Sequence, residues 1–505
     1  MLTDGPNNRP FDTEIPAPLV RENAFLSAEP ERNRVPTFGD SKENIPYISW
    51  EGHELAVDCY WKTWELAFSN LRTPSKENGF VSNYIDTAFN DNLFMWDSVF
   101  ITLFARYADR AFNFQRTLDN LYCKQHRNGF ICREIREIDG SDCFSNYDPS
   151  GTGPNVMPWS EWEYFLCHGD KERLARVFPT LLAYYRWFRL HRTWPDGTYW
   201  ATGLSSGMDN QPRIPPEFSP EHFHGHYSWI DTCLQEIFAA GLLIRMADVL
   251  ERTGEVEDLK REAAALSETI NAKFWNESTG FYFDRRPDGT LSDVKTIGAY
   301  WALLAGIVPP NRLSVFVSHL SNQKEFNRPH SIPTLSADHP SYQNDGGYWL
   351  GGVWAPTNYM VLRGLTRAGE DKLAHIIAMN HLENVVAVYG KTGTLWENYS
   401  PEAAAPGKPA KADFVGWTGL VPVAVLLEYV FGLRPDFPSG KLLWDIRLTD
   451  QHSVTKYPFG ADGFLSLHCQ KRAGTHEKPV VKATSNIPVE IEVRWEKGSE
   501  IIRAG

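Results

Sequence analysis

Apolar residues recur at helical spacing through most of the chain. Leu259, Ala263, Leu266, Ile270 and Phe274 are spaced by four, three, four and four residues, which places them on one face of a helix. The same period predicts twelve helices, over 53–71, 96–109, 111–125, 156–168, 171–191, 229–253, 256–274, 297–307, 309–321, 352–367, 370–389 and 414–431. Because amphipathic helices bury one face against a neighbour, these segments are predicted to form a packed helical domain.

The connections between the predicted helices alternate between short and long. Five links span only a few residues, and six are long: 72–95, 126–155, 192–228, 275–296, 322–351 and 390–413. In an antiparallel helical array, alternate links lie at opposite ends, so all six long loops are predicted to lie at one end. Long ordered loops on a rigid scaffold commonly carry function, and this end is therefore the expected place of the site.

The long loops repeat a motif of a Gly turn flanked by aromatic residues. RNGF at 127–130, PDGTYW at 195–200, STGFYF at 278–283 and KTGTLW at 391–396 each predict a tight hairpin. Twelve helices with a repeated loop of this kind favour six helical hairpins closed into an (α/α)6 barrel, over an open α-solenoid with shorter repeats. The helices that follow long loops are then predicted to form the inner ring: 96–109, 156–168, 229–253, 297–307, 352–367 and 414–431.

The two ends of the chain differ from the helical body. Residues 1–50 are rich in Pro and Asn and lack a period, which predicts an irregular N-terminal arm. After about residue 440 the apolar period changes to two, as at Val489, Ile491 and Val493. We therefore predict an all-α dominated fold, with the arm over 1–50, the (α/α)6 barrel over 51–435 and a small β-rich appendage over 440–505.

Charge and composition exclude several classes of partner. Lys and Arg number 50 against 63 Asp and Glu, a formal net charge of −13, so neither nucleic acid nor a membrane surface is an expected partner. No run approaches the roughly 18 apolar residues of a membrane span, and no signal peptide is visible at the start. This predicts a cytoplasmic protein, with a processed secreted or periplasmic chain as the alternative. The seven Cys contain no CxxC pair, so no zinc framework is indicated.

Aromatic residues make up 13% of the chain, a composition that suits either sugar binding or a large helical core. On the predicted functional end, five motifs set a carboxylate or Arg beside Trp, Tyr, Asn or Gly: NLFMWDSVF, GFICREIREIDG, GLSSGMDNQPR, QNDGGYWLGGVW and GTLWENYSP. This mixture fits a small carbohydrate, which needs stacking walls and hydrogen-bonding edges. Glycoside hydrolysis also needs two carboxyl groups, and Asp209 and Glu397 are candidates, although either could be an ordinary solvated or capping carboxylate.

The same motifs carry a resemblance to known glycosidases. FMWDSVF resembles a segment of trehalases, and SGMDNQPR resembles the SGxDxxPR segment of glycoside hydrolase family 63. YWLGGVWAPTNYMVLRGL, LWENY and FVGWTGL are similar to further motifs of that family, in the same order along the chain. Two departures stand out, because only VWAP remains of a longer trehalase segment and Ser400 stands where the family usually has Asp.

The resemblance implies an (α/α)6-barrel glycosidase that inverts the anomeric centre of a small α-glucoside or related α-glycoside. By position, Asp209 would be the general acid and Glu397 the general base. No cofactor or catalytic metal is expected, because two carboxyl groups and water suffice for glycoside hydrolysis, while a structural metal ion is left open. A set of six residues would bind the sugar: Trp96, Asp97, Arg133, Asn155, Trp349 and Trp354. Arg213 lies in the same motif as Asp209, and an equally open interpretation is a structural role in which it fixes the loop of the acid to the barrel.

Two other classes of protein compete with this interpretation. A sugar epimerase or polysaccharide lyase also uses an (α/α) barrel, but the first would place paired His side chains in the cavity. The second would need a Tyr or His base with Arg clamps for an acidic polymer. A catalytically silent carbohydrate-binding barrel predicts that Asp209 or Glu397 points away from the cavity. The sequence leaves the sugar, the linkage and the oligomeric state open.

Overall fold

Residues 16–87 and 90–505 are described by the structure, a computed structural model. Its main helices, numbered here α1–α12, are Glu54–Ser69, Met95–Ala105, Phe114–Leu118 with Asp119–Tyr122, Met157–His168, Lys171–His191, Ile230–Leu250, Glu257–Lys273, Ile297–Tyr300 with Trp301–Ala305, Pro310–Ser318, Ala355–Arg367, Asp371–Thr392, and Trp417–Leu420 with Val421–Val430. Each lies within or close to one of the twelve predicted segments. Single turns of helix occur besides these, among them Phe38–Ser41 and Gly203–Ser206.

The even-numbered helices close into a ring. Each of α2, α4, α6, α8, α10 and α12 contacts the next, and α12 contacts α2, while odd-numbered helices pack outside them. The predicted inner ring is therefore confirmed, and the open solenoid is excluded. The structure is helix-dominated, as predicted, with its main β-sheets contributed by the C-terminal residues and one strand of the arm.

Burial explains why the inner and outer helices differ in sequence. Every residue of α2 is buried, and so is every residue of Val421–Val430 in α12. In the outer helix α7, only Leu259, Leu266 and Ile270 of the 17 residues are buried, which is the one-sided pattern that the spacing predicted. None of the helices in the described part of the chain is both long and apolar enough to cross a membrane.

Local geometry departs from the predictions in two helices and one turn. The predicted helix 111–125 is a 3-10 turn followed by one α-turn, and Val421–Val430 is π-helical, with the Phe431 amide donating to the Leu426 carbonyl. The hairpin predicted at 391–396 is wrong, because α11 continues to Thr392 and Gly393 ends it in the left-handed conformation, with φ +73°. The hairpin predicted at 278–283 is present, as Trp275–Asn276 pairs with Phe281–Tyr282.

Two four-stranded sheets lie at the C-terminal side. In spatial order, the first sheet contains Tyr47–Trp50, His452–Pro458, Phe464–Cys469 and Val481–Ser485, and the second contains Gly498–Ala504, Val489–Trp495, Lys441–Asp445 and Leu433–Asp436. Neighbouring strands are antiparallel except Val489–Trp495 and Lys441–Asp445. Residues 1–15 of the predicted arm lie outside the described residues. The rest of the arm contains short helical turns such as Phe38–Ser41, and it ends in the strand Tyr47–Trp50, which has alternating burial and pairs Tyr47 with Thr455.

Candidate active site

The loops that precede the inner helices enclose a cavity at one end of the barrel. The cavity holds about 520 Å³ of empty space including its open mouth, within the usual range for a small-molecule site. Its walls are Phe94, Trp96, Asp97, Arg133, Gly153, Pro154, Leu204, Gly207, Asp209, Tyr348, Trp349 and Trp417. Five of the eight predicted site residues line this cavity directly: Trp96, Asp97, Arg133, Asp209 and Trp349.

One wall is built by the entry into α2 and the strand that runs beside it. Asn92–Phe94 pairs with Glu134–Arg136, and the Met95 amide donates to the Arg133 carbonyl at 2.8 Å. This pairing brings Arg133 into the same wall as Trp96 and Asp97. Arg133 forms an ion pair with Glu134 at 3.3 Å and provides positive charge in the wall.

The Asp97 carboxyl is buried in the first turn of α2. Burial raises the pKa of Asp97 well above its usual range, and the nearby Glu397 and Asp209 raise it further. Its own backbone amide and the Arg133 cation act in the opposite direction. Asp97 therefore lies within electrostatic reach of both predicted catalytic carboxyl groups.

Close packing between glycines and their neighbours fixes the loop of Asp209. A Cβ atom on Gly203 would lie 2.0 Å from the Asp209 carbonyl oxygen, so this position admits only glycine. Gly207 has φ +76°, and a Cβ atom there would lie 3.2 Å from the Trp96 indole. The loop can follow this path against Trp96 because both residues lack a side chain.

The residues after Asp209 bind the loop to three other parts of the barrel. Asn210 Oδ1 accepts the Trp349 amide at 2.9 Å, and Gln211 Nε2 donates to the Thr334 carbonyl at 2.8 Å.

Arg213 forms a second, buried anchor of the same loop. It donates hydrogen bonds to both Asp231 and Asp284 over 2.6–2.8 Å. Its guanidinium is fully buried and lies 4.0 Å from the centre of the Trp229 ring. Arg213 therefore anchors the acid loop, in line with the structural alternative weighed from the sequence.

Glu397 is held by groups that donate hydrogen bonds to it. Its Oε2 accepts the Lys411 amide at 3.1 Å, and its Oε1 lies 3.4 Å from the Tyr348 hydroxyl. The Trp417 indole donates to the Glu397 carbonyl oxygen at 2.8 Å, which fixes the backbone. Tyr348 and Trp417 both line the cavity, so the Glu397 carboxyl is joined to its wall through them.

Both predicted catalytic carboxyl groups titrate close to neutral pH. Burial raises the pKa of Asp209 to about 6, with Arg133 lowering it and Glu221 raising it. Burial raises the pKa of Glu397 to about 7, against the lowering effect of the Lys411 amide and cation, and the Asp209 charge adds to the increase. The pair can therefore hold one proton between them in the physiological range.

A stack of indoles forms the floor beneath Tyr348. The rings of Trp349 and Trp354 are 3.8 Å apart with an interplanar angle of 5°, and Trp354 lies 5.4 Å from Trp417. Trp349 is in the wall, whereas Trp354 lies behind it and donates from Nε1 to the Tyr348 carbonyl at 3.1 Å. The stack places Trp354 one layer below the wall residue Trp349, and its part in sugar binding stays a prediction.

Asn155 is also placed away from the cavity. The chain turns into α4 after Gly153 and Pro154, which line the wall, and directs the Asn155 side chain towards α6. There Asn155 Nδ2 donates to Glu236 Oε2 at 3.1 Å, and burial raises the pKa of Glu236 well above its usual range. Asn155 therefore contributes to the packing behind the site.

Sequence reasoning missed several wall residues that lie inside the motifs it used. Tyr348 precedes Trp349 in YWLGGVW, and Trp417 lies in FVGWTGL. Tyr348 adopts φ +66°, a conformation unusual for an aromatic residue, directly after Gly346 and Gly347, which also have positive φ. The position of an aromatic residue among glycines is the signal that could have identified it. Within the described residues, no group of three or more His, Cys, Asp or Glu side chains is placed to hold a metal ion.

Comparisons with known proteins agree with this geometry. Residues 90–418 match the family described as the mannosylglycerate hydrolase MGH1-like glycoside hydrolase domain. An uncharacterised protein of Borreliella burgdorferi is 23% identical, over 68% of this chain and 73% of its own length. A probable mannosyl-oligosaccharide glucosidase of Schizosaccharomyces pombe is 26% identical over 49% of this chain, but only 34% of that longer protein is covered.

Solved structures share the fold. The mannosylglycerate hydrolase of family GH63 from Thermus thermophilus, in complex with Tris, superposes with a TM-score of 0.58 at 20% identity, over 72% of this chain and 99% of its own. A neutral trehalase of Saccharomyces cerevisiae gives a TM-score of 0.54 at 14% identity, over 69% and 73% of the two chains. The family match covers well over half of the chain and includes every candidate site residue, and the protein therefore belongs to the MGH1-like family of glycoside hydrolases.

Proposed function

We propose that the protein is an inverting α-glycosidase, which hydrolyses a small α-glucoside or a related α-glycoside with Asp209 as general acid and Glu397 as general base. One observation carries the proposal. Two carboxyl groups with pKa values raised to about 6 and about 7 belong to one aromatic-walled site, with Asp209 in the cavity wall and Glu397 hydrogen-bonded to the wall residue Tyr348. Glycoside hydrolysis requires such a pair, with one group protonated and the other ionised.

Hydrogen bonding supports the division of roles between the two groups. The Lys411 amide and the Tyr348 hydroxyl both donate to the Glu397 carboxylate, which favours its ionised form and orients its oxygens as acceptors. A water molecule held by this carboxylate would attack the anomeric carbon. Burial and the acidic side chains Glu221 and Glu134 raise the pKa of Asp209, but its value of about 6 lies below that of about 7 for Glu397, so the shared proton resides more often on Glu397. The assignment of roles therefore rests on the hydrogen bonds to Glu397 and on the family motif, and it uses the less populated arrangement of that proton, with Asp209 protonated. It would donate that proton to the leaving oxygen.

The walls supply the contacts that a terminal sugar needs. The indoles of Trp96 and Trp349 offer faces for the apolar side of a pyranose ring. Asp97 and Arg133 offer a carboxyl and a guanidinium for its hydroxyl groups. The limited volume of the cavity favours a single terminal sugar over an internal unit of a polymer.

The names of the relatives narrow the substrate class. They include a mannosylglycerate hydrolase, mannosyl-oligosaccharide glucosidases and periplasmic trehalases. These names support an α-linked hexose as the sugar that is released. The aglycone is left to a screen of α-linked disaccharides and glycosylglycerates.

The composition of the walls argues against the two rival classes. The twelve wall residues that the structure describes contain no His and a single Arg, whereas an epimerase needs paired His and a lyase needs Arg clamps. A silent binding barrel requires one of the two carboxyl groups to point away from the cavity. Asp209 lies in the wall, and Glu397 contacts the wall residue Tyr348.

Proton NMR of the first-formed sugar tests the proposal. An α-linked substrate should release the β anomer, because water held by Glu397 attacks the face opposite the leaving group. Glu397→Gln should abolish release, while the matched control Glu402→Gln, which changes a carboxylate of the same loop paired with Arg328, should leave it intact. Release of the α anomer would mean a retaining enzyme, and no release from any substrate would favour the silent barrel.

A further inference from the structure

A second large cavity lies at the opposite end of the barrel. Most of its lining residues lie in the later turns of the inner helices, among them Leu166 of α4, Arg245 of α6, Leu304 of α8 and Arg367 of α10, whereas Trp159 in the first turn of α4 reaches it from the centre of the barrel. Its empty space is about 950 Å³ including the open mouth. The catalytic cavity is lined by residues at or before the start of α2, α4, α10 and α12, so the two cavities share no wall residue.

Four arginines gather around this basal cavity in a chain whose net charge is −13. Two of them are neutralised. Arg363 pairs with Glu163 and, at 3.3 Å, with Glu428, and Arg434 pairs with Asp371 at 3.0 Å. The positive charge left over therefore belongs to the other two arginines.

Arg245 and Arg367 are those two, and they lie close to each other. Within the part of the chain that the structure describes, neither forms an ion pair with a carboxylate. Arg367 Nη1 donates to the Leu304 carbonyl at 2.5 Å, and its guanidinium lies against Gly306, where a Cβ atom would be 2.5 Å from Nη2. Burial and the neighbouring Arg245 lower the pKa of Arg367. Both side chains are exposed at the cavity mouth, and two unneutralised cations close to each other are stabilised by an anion between them.

The floor of the cavity is aromatic and aliphatic. Trp159 and Phe238 are buried with their ring centres 5.7 Å apart, and Trp162 is half-buried, so part of its indole faces the open space. Such a floor suits the flat or apolar face of an organic ring. A cavity with a cationic rim and an aromatic floor thus fits an anion that carries a ring.

We propose that the basal cavity is a second ligand site that binds a phosphate monoester, with its phosphate between Arg245 and Arg367 and its ring on the aromatic floor. The charges match, because a phosphate monoester carries close to two negative charges at neutral pH and guanidinium groups bind it bidentately. A single carboxylate would neutralise only one of the two arginines. Sugar phosphates and nucleoside monophosphates share this chemistry.

Isothermal titration calorimetry on the full chain tests the site with glucose 6-phosphate, adenosine monophosphate and inorganic phosphate. We expect one of the two monoesters to bind at one site at least about tenfold more tightly than inorganic phosphate. The monoester that binds more tightly shows whether the site takes a sugar phosphate or a nucleoside monophosphate. Failure of both to bind at millimolar concentration would overturn the proposal.

Variants separate this site from the catalytic cavity, which also contains an arginine. Arg245→Gln with Arg367→Gln should weaken monoester binding at least tenfold, while Arg133→Gln and the exposed control Arg261→Gln should leave it unchanged. Trp162→Leu should weaken the binding of the monoester but not the binding of inorganic phosphate. Circular dichroism checks that each variant is folded. Binding that is lost with Arg133→Gln and kept in the double variant would overturn the proposal.

Discussion

The Asn210 side chain connects the loop of Asp209 to the backbone of Trp349. Its Oδ1 accepts the Trp349 amide at 2.9 Å, and its Nδ2 donates to the Gly347 carbonyl at 3.0 Å. One amide group therefore sets the position of the acid relative to the stacked indole floor. Replacement by alanine removes both hydrogen bonds without changing either functional side chain.

Asn210→Ala should consequently lower kcat/KM about tenfold, because the Asp209 carboxyl is no longer held in its position relative to the sugar. A tenfold loss corresponds to about 1.4 kcal/mol of activation free energy. Steady-state kinetics on the released sugar measures the change. Asn210→Asp keeps the acceptor for Trp349 and should recover part of the loss. Equal activity of the alanine variant and the unchanged protein would show that the acid loop is fixed by Gln211 and Arg213 alone.

Asp209→Asn should reduce turnover by at least about 10²-fold on a substrate with a poor leaving group, because the amide cannot donate a proton as an acid. On a glycosyl fluoride, whose leaving group needs less protonation, the loss should be much smaller. Asp196→Asn, on the same long loop, is the matched control and should keep full turnover. A similar loss on both substrates would assign Asp209 a role other than the acid.

The pH dependence of kcat/KM should be bell-shaped with limbs near pH 6 and pH 7. Below about 6 both carboxyl groups are protonated and the base is lost, and above about 7 both are ionised and the acid is lost. In Asp209→Asn, assayed with the fluoride, the basic limb should disappear. The remaining limb should report Glu397 alone and lie below pH 7, because the Asp209 charge no longer raises the pKa of Glu397. A profile flat between pH 5 and 8 would contradict both assignments.

Gly207→Ala should raise the KM for the sugar substrate, as measured by steady-state kinetics. Its Cβ atom would lie 3.2 Å from the Trp96 indole, so the ring that faces the sugar must move. Gly197 offers a matched control, because it has a similar φ of +82° and nothing within 4 Å of its Cβ position. Gly197→Ala carries the same backbone strain of about 1–2 kcal/mol without the clash, and it should leave KM unchanged.

Arg213→Met should destabilise the protein by about 3–5 kcal/mol, because it leaves the buried Asp231 and Asp284 without their cation. Urea denaturation followed by tryptophan fluorescence measures the change, with Arg261→Gln as an exposed control. The loss of activity should follow the loss of folded protein. A stable variant with low activity would instead place Arg213 in substrate binding.

The fold could be predicted because its pattern depends on local sequence. The helical spacing of Leu259, Leu266 and Ile270 directly predicts the face that is buried. The alternation of short and long loops predicts the closed ring of inner helices. The strand Tyr47–Trp50 could not be predicted, since its partner Thr455 lies at the other end of the chain and four residues give too short a period. The end of α11 at Gly393 was missed because a helix C-cap and a hairpin turn use the same glycine geometry.

The site could be predicted to the level of its motifs but not to the direction of each side chain. Trp349 and Trp354 are five residues apart in one motif, and only the stacking of their rings decides which one faces the cavity. The direction of the Asn155 side chain depends in the same way on a distant residue, Glu236 on a different helix. The pairing of Asn92–Phe94 with Glu134–Arg136 brings Arg133 into the wall, and this contact between two strands cannot be read from the motif alone.

The strand Tyr47–Trp50 also affects how the chain folds during its synthesis. The Ser49 and Ser453 hydroxyl groups, 2.8 Å apart in the sheet, are separated by 404 residues along the chain. At a ribosomal rate of about 5–20 residues per second, the strand waits roughly 20–80 seconds for its partner. During that time the Ile48 and Trp50 side chains lack the cover of the first sheet, and the strand presents an unpaired edge to neighbouring chains. Crowded expression at high temperature should therefore produce aggregates that begin at the amino-terminal strand of a nascent barrel.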